Sequence, residues 1–244
     1  MFTTLMESYV HFFVILLPAG VIGLLAAGAA GAGLSRAETG RAAVLAAAFL
    51  SVWGALALYL APRNLLLPPP VFGDPPYVLM LMLGGAATLW ALGRLTTPGR
   101  RITDGVDPSL LIGFQIPRVM GFVFLIGWAM GEIPWQFALP AGLGDIWAGI
   151  AGYQAMRAVQ RGDADADRQV WRANLIGLGD FVVAVSTGLI TSEGFLHLLA
   201  HDAPNIINHY PLALFPGFFV GIFIGVHLIS LSRLRAGRAQ PQAA

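Results

Sequence analysis

The sequence predicts an all-α, polytopic membrane protein: a bundle of seven transmembrane helices with its N-terminus outside and its C-terminus in the cytoplasm. Three observations predict it. Of the 244 residues, 57% are hydrophobic, only 11% are charged, and the mean hydropathy is +0.72. Soluble domains carry about 25% charged residues, so a soluble globule of this composition would expose apolar patches that drive aggregation. Seven apolar stretches reach the roughly 20 residues a helix needs to cross a bilayer. Arginine, finally, is confined almost entirely to alternate connectors.

The spans are read at residues 9–34, 41–61, 77–97, 110–130, 135–156, 171–191 and 210–234, forming one domain over 1–234. Residues 235–244 are read as a short, disordered cytoplasmic tail. Helix breakers fill the connectors: Pro68, Pro69, Pro70, Pro75 and Pro76 between spans two and three, and Pro98, Gly99 and Pro108 between three and four. Twelve of the 14 basic residues then share one face, with Arg63 opposite and Arg118 inside a span. Positive charge is retained in the cytoplasm, which sets the orientation and requires an odd number of spans. Tyr9, Tyr59, Tyr77, Trp128, Trp135 and Tyr210 fall at the outer boundary, Tyr153 and Trp171 at the inner one. The start of the chain carries Glu7 and no basic residue, so span one is expected to stay attached rather than be cleaved as a signal peptide. Stripes of small residues at four-residue spacing (Gly23, Ala27, Gly31 and Gly144, Ala148, Gly152) allow close helix packing. Pro18, Pro117, Pro140 and Pro216 are expected to kink their spans.

Composition also excludes chemistry. There is no cysteine, hence no disulfide, thiolate metal site, iron–sulfur cluster or cysteine nucleophile. There is no lysine, because all 14 basic residues are arginine; a retinal or pyridoxal phosphate Schiff base has no amine to form on. A net charge of +1 implies no nucleic-acid partner. The expected partners are the lipid bilayer and a small solute or ion. Alanine, glycine and arginine in place of lysine point to a bacterial cytoplasmic (inner) membrane.

Arg118, Asp145 and Asp180 carry most of the functional information. Each lies about ten residues into its span, near half depth. Facing lipid, the three would cost about 8–10 kcal/mol on the insertion scale, comparable to an entire folding free energy. They are therefore expected to meet inside the bundle. Gln115, three residues before Arg118, is expected to extend this polar centre, as is Asn174 nearer the cytoplasm. One arginine against two ionised aspartates leaves an excess negative charge, which a shared proton or a bound cation would remove.

The tetrapeptide Gly-Leu-Gly-Asp occurs twice, at 142–145 and 177–180, in helices of opposite direction. An inverted repeat would produce this pattern. Residues 177–181, Gly-Leu-Gly-Asp-Phe, also resemble the GxGD signature of the presenilin-type intramembrane aspartyl proteases. That resemblance would make Asp145 and Asp180 a catalytic dyad activating water. The pattern departs at Gly144, where the family has tyrosine, and at 211–214, Pro-Leu-Ala-Leu in place of Pro-Ala-Leu.

Before span seven, Glu193, His197 and His201 recur at spacing four. A helix would align them, either on the wet side of an interfacial amphipathic helix or as weak candidate metal ligands. His227 is read as a hydrogen-bonded core histidine. The leading functional expectation is movement of protons, ions or a small solute through the Arg118–Asp145–Asp180 centre. The alternatives are the aspartyl enzyme and a non-catalytic subunit whose charges only set helix register; of enzyme and non-enzyme, the second is favoured.

Overall fold

The computed structural model describes residues 2–203 and 205–239. It is all-helical apart from an isolated bridge between Phe72 and Asp74. The helices are α1 (Phe2–Gly31), α2 (Arg36–Leu60), α3 (Tyr77–Arg94), α4 (Thr97–Gly105), α5 (Pro108–Gly113), α6 (Phe122–Ala129), α7 (Trp135–Arg161), α8 (Ala166–Thr191) and α9 (Val220–Ala239). Among the described residues, six segments are long and apolar enough to cross a membrane: α1, α2, α3, the α5–α6 stretch, α8, and the stretch that leads into α9. The 27 residues of α7 are long enough, but its polar and small residues hold it below that apolarity. α9 remains helical through Ala239, and residues 240–244 of the expected tail lie outside the described residues.

The outer surface is apolar. Ile15, Leu45, Val52 and Val182 are among the most exposed large side chains, as expected of helices bathed in lipid rather than water. The helix that opens at Phe215 is buried over 72% of its span, against 22–28% for α1, α2 and α3, so it is the central strut and they are peripheral. Phe124, Phe137, Phe181, Phe215, Phe218, Phe219 and Phe223 gather along it, packed edge to face, tilted or, for Phe181 on Phe223, stacked. Such offset geometries suit ring quadrupoles.

Span four is not the continuous helix the sequence suggests. After α5 the chain tightens into a 3-10 helix, Ile116–Gly121, before resuming as α6. Pro117 has no N–H for the carbonyl four residues back, and its ring crowds that turn. The segment therefore closes i→i−3 bonds, Gln115 N–H to Ile112 and Arg118 N–H to Gln115, both 3.1 Å. The 3-10 backbone can lie close to α7 because Gly149 and Gly152 face it; a Cβ on Gly149 would come within 2.8 Å of Val119 Cγ1. Of the expected α7 stripe, Gly152 meets Gln115 and the Ile112 carbonyl, and Gly144 meets Asp180 of α8. In α1 the stripe is displaced: Gly23 faces open space, whereas Gly28 and Gly31 receive the backbone of α4 at Ile102 and Gly105.

Residues 192–203 correct the expectation of an amphipathic helix through 193–201. They form bends, turns and irregular backbone. Gly194 (φ 152°) and Ala200 (φ 62°) adopt backbone conformations incompatible with a continuous helix. The freed N–H groups bond elsewhere: Phe195 to Pro69, and Leu198 and Leu199 to Ile190.

α2 is tethered chiefly by Trp53, whose indole N–H donates to the Gly217 carbonyl at 3.1 Å and whose ring lies between Gly85 and Gly221. Gly85 and its neighbour Gly84 therefore make a matched test. A Cβ at Gly85 collides with the indole, and Gly84 faces nothing. Gly85→Val is expected to lower stability by about 1–3 kcal/mol through overpacking, read as a fall in the thermal unfolding midpoint in detergent, with Gly84→Val leaving it nearly unchanged.

Candidate functional site

Arg118, Asp145 and Asp180 meet in the bundle interior, as their positions in the sequence require. Arg118 projects from the 3-10 segment, and its side chain is fully buried. Nε donates to Asp145 Oδ1 at 2.9 Å, Nη2 stands 2.9 Å from the same oxygen as an ion pair, and Nη2 donates to Asp180 Oδ2. Nη1 donates to the Gly177 carbonyl at 2.9 Å and reaches His227 Nε2 at 3.3 Å. Four hydrogen bonds and one further ion-pair contact thus engage all three guanidinium nitrogens. Below its plane lies the Phe181 ring, with Cζ 3.7 Å from the centroid, a cation–π contact in a dry setting.

Glycine makes the convergence possible. A Cβ at Gly121 would fall 2.5 Å from the Asp145 Cβ, one at Gly144 would overlap the Asp180 carboxylate, and one at Gly177 would lie 2.7 Å from Arg118 Nη1. The two Gly-Leu-Gly-Asp copies are used differently. In the first, Gly142 meets Leu125 and Gly144 meets Asp180; in the second, Gly177 meets Arg118 and His227, while Gly179 faces open space.

A polar chain continues from Arg118. Arginine only donates, so His227 Nε2 accepts and the imidazole carries its proton on Nδ1. Nδ1 then donates to Asn174 Oδ1 at 2.9 Å. Asn174 Nδ2 donates in turn to the Val170 carbonyl (2.8 Å) and to Ser230 Oγ (2.9 Å). This chain runs toward the α8 N-terminus and the α9 C-terminus. The other half of the bundle holds a cavity of about 60 Å³, lined by Phe137 and Asp145 of α7, Gly188 of α8, Asn208 and Phe215. A water needs roughly 10–15 Å³ of such space, so a few would fit. Asp145 faces it with 13% of its side chain exposed, whereas Arg118 has none.

Gln115 is buried but joins the centre only in sequence: its Oε1 has no hydrogen-bond partner among the described residues, and no bond from it to either carboxylate forms. Tyr9, read as an interfacial aromatic, instead donates its hydroxyl to the Met120 carbonyl at 2.7 Å and holds the 3-10 segment from α1. Asn174 extends the centre as expected, through His227. Ser230 and the Gly177 carbonyl were not anticipated; the signals were the i, i+3 pair His227–Ser230 on α9 and the run Asn174, Gly177, Phe181 on one face of α8. Glu193, His197 and His201 do not form a ladder. The His197 and His201 rings still touch, centroids 4.6 Å apart, but among the described residues no group of three or more His, Asp or Glu side chains is placed to hold a metal ion.

Residues 75–235 match the family described as a domain of unknown function, DUF8737. The chain belongs to that family. The matched segment covers about two thirds of the 244 residues and contains Arg118, Asp145, Asp180, Asn174 and His227, leaving out α1 and α2. No curated protein and no solved structure matches the chain.

Removing one member of a buried ion cluster strands the others. Arg118→Gln is expected to destabilise the fold by about 3–5 kcal/mol, read as thermal unfolding in detergent. Arg118→Lys should fare little better, since an ammonium cannot reproduce the planar fork. Replacing all three groups together, Arg118→Leu with Asp145→Asn and Asp180→Asn, should recover part of the loss. Additive losses in the triple variant would mean that the three do not act as one cluster.

Proposed function

We propose that the chain moves protons or a small cation across the bilayer, with Asp145 as the loading carboxylate and Arg118 as its fixed counter-charge. The observation that carries this is the double position of Asp145, bonded to the sealed guanidinium on one side and lining the cavity on the other. A centre built only to fix helix register has no use for an access route to one carboxylate. The excess negative charge of two aspartates over one arginine supports a transferable proton or cation as its complement. Charge at mid-depth in a helical bundle is in general the mark of such pathways. The aspartyl-protease reading fits less well, because a guanidinium bonded to both carboxylates disfavours the proton-sharing pair that activates water.

In this reading α7 is also a span, the fifth in chain order, which brings the total to seven. Its 27 residues rise about 40 Å, ample for the hydrocarbon core, and it returns antiparallel into α8 through Gly162 at φ 69°. Seven spans place the N-terminus outside, with twelve arginines and the C-terminus on the cytoplasmic face of an inner membrane.

The test is flux in proteoliposomes carrying a pH-sensitive dye, with the membrane potential set by a potassium ionophore. Wild type is expected to acidify the lumen under an inward driving force, and Asp145→Asn to slow this at least tenfold. Gly188→Leu, which fills the cavity without touching Arg118, should slow it as well, and Asp163→Asn in the α7–α8 turn should not. Neither proton nor alkali-cation flux in wild type, or an Asp145→Asn variant as fast as wild type, would overturn the proposal.

A further inference from the structure

A second cavity, larger than the one beside Asp145, lies away from the charged centre. It occupies about 390 Å³ between α1, α2, α3, α4 and α9, within the size range of small-ligand sites. Its walls are apolar, including Leu24 of α1, Leu45 and Phe49 of α2, Leu89 of α3 and Ile229 of α9. Charge is confined to the mouth, where Glu38, Arg41 and Arg101 stand. Below Glu38, the α2 lining descends from Arg41 to Leu50, about 14 Å at 1.5 Å per residue. That is half of the roughly 30 Å hydrocarbon thickness, the depth of one leaflet.

The mouth carries more positive than negative charge. Arg101 approaches Glu38 at 3.5 Å, a loose pair with both side chains about half exposed. Glu38 is already committed to the α2 capping box, accepting from the Ser35 hydroxyl at 2.7 Å and from the Ser35 N–H at 2.9 Å. Arg41 is exposed, and no ion pair forms to it among the described residues. Arg41 stands in the second turn of α2 and Arg101 in the short amphipathic α4, at the level where lipid headgroups lie.

We propose that this cavity is a built-in site for one anionic phospholipid of the leaflet on that face, an acyl chain filling the apolar interior and the phosphate lying between Arg41 and Arg101. Depth, lining and charge each fit this occupant. A soluble solute would leave the apolar walls unmatched, and a zwitterionic lipid would leave the net positive mouth uncompensated. Arginine is suited to the phosphate, which it can grip with two N–H groups at once. The site draws on α1 and α2 as well as the family segment, and it does not depend on the transport reading.

The test purifies the full chain in mild detergent and measures bound lipid by native mass spectrometry and headgroup analysis. One phospholipid per chain is expected to survive, enriched in anionic headgroups over the source membrane. Arg41→Gln with Arg101→Gln should cut retention at least fivefold and abolish the enrichment. The matched pair Arg157→Gln and Arg168→Gln, around the α7–α8 connector, should do neither. Ala46→Trp, which fills the cavity from α2, should expel lipid whatever its headgroup. As a second measurement, added anionic phospholipid should raise the unfolding midpoint of delipidated wild type and not that of the double mouth variant; inorganic phosphate should have no effect on either. Absence of retained lipid in wild type, a headgroup mixture equal to the source membrane, or equal retention in the mouth and connector variants would overturn the proposal.

Discussion

A guanidinium buried in a hydrocarbon-facing bundle dictates much of the architecture around it. Each of its five N–H groups left unbonded would cost several kcal/mol in a medium with no water to substitute. Supplying its partners requires acceptors from α7, α8 and the last helix, converging on a segment that is itself out of register with α-helical geometry. The 3-10 turn at Ile116–Gly121 supplies that displacement. Gly121, Gly144 and Gly177 supply the room, one beside each carboxylate and one beside the arginine. The small face of α7 is explained in the same terms: only a helix with Gly149 and Gly152 there lets the irregular segment lie close enough for Arg118 to reach Asp145.

The aromatic packing around the last helix extends this constraint. Phe181 lies under the guanidinium and stacks on Phe223, while Phe124 packs between Phe137 and Phe215. The rings seal the centre from lipid and hold the helices that carry its charges. α1 and α2 contribute at two points, Tyr9 to the Met120 carbonyl and Trp53 to the Gly217 carbonyl, both on irregular backbone next to the site. Side-chain donors thus stabilise backbone that regular helix would have satisfied alone.

What could be read from sequence followed from cost. Arg118, Asp145 and Asp180 were legible because a charge in an apolar stretch has few tolerable surroundings. Their meeting was therefore close to a necessity. Ser230 and the Gly177 carbonyl were not, because a serine or a backbone group in a span carries little penalty and has many acceptable partners. Gln115 shows the limit of spacing arguments: an i, i+3 relation places two residues on one face only where the helix is regular, and Pro117 makes it irregular between them. Glu193, His197 and His201 failed for the same reason. Their spacing of four presupposed a helix that the backbone at Gly194 and Ala200 breaks. In each case the missing information was the local backbone state, which side-chain periodicity assumes rather than reveals.

The polarity of the hydrogen-bond chain constrains how a transporter of this design would work. From Arg118 through His227 to Asn174 every link donates away from the centre, and the first donor cannot give up its proton. The chain as arranged therefore orients Arg118 and conducts nothing. Under the proposed function, a proton that reaches Asp145 from the cavity leaves by the other half only if His227 exchanges the Arg118 contact for a protonated carboxyl. That contact, at 3.3 Å, is the longest in the chain. Once freed, imidazole Nε2 is a lone pair that can take a proton, while Nδ1–H already points along Asn174 toward Ser230 and the opposite face. Under that reading, the weakest link lies where a switch between the two halves would have to act.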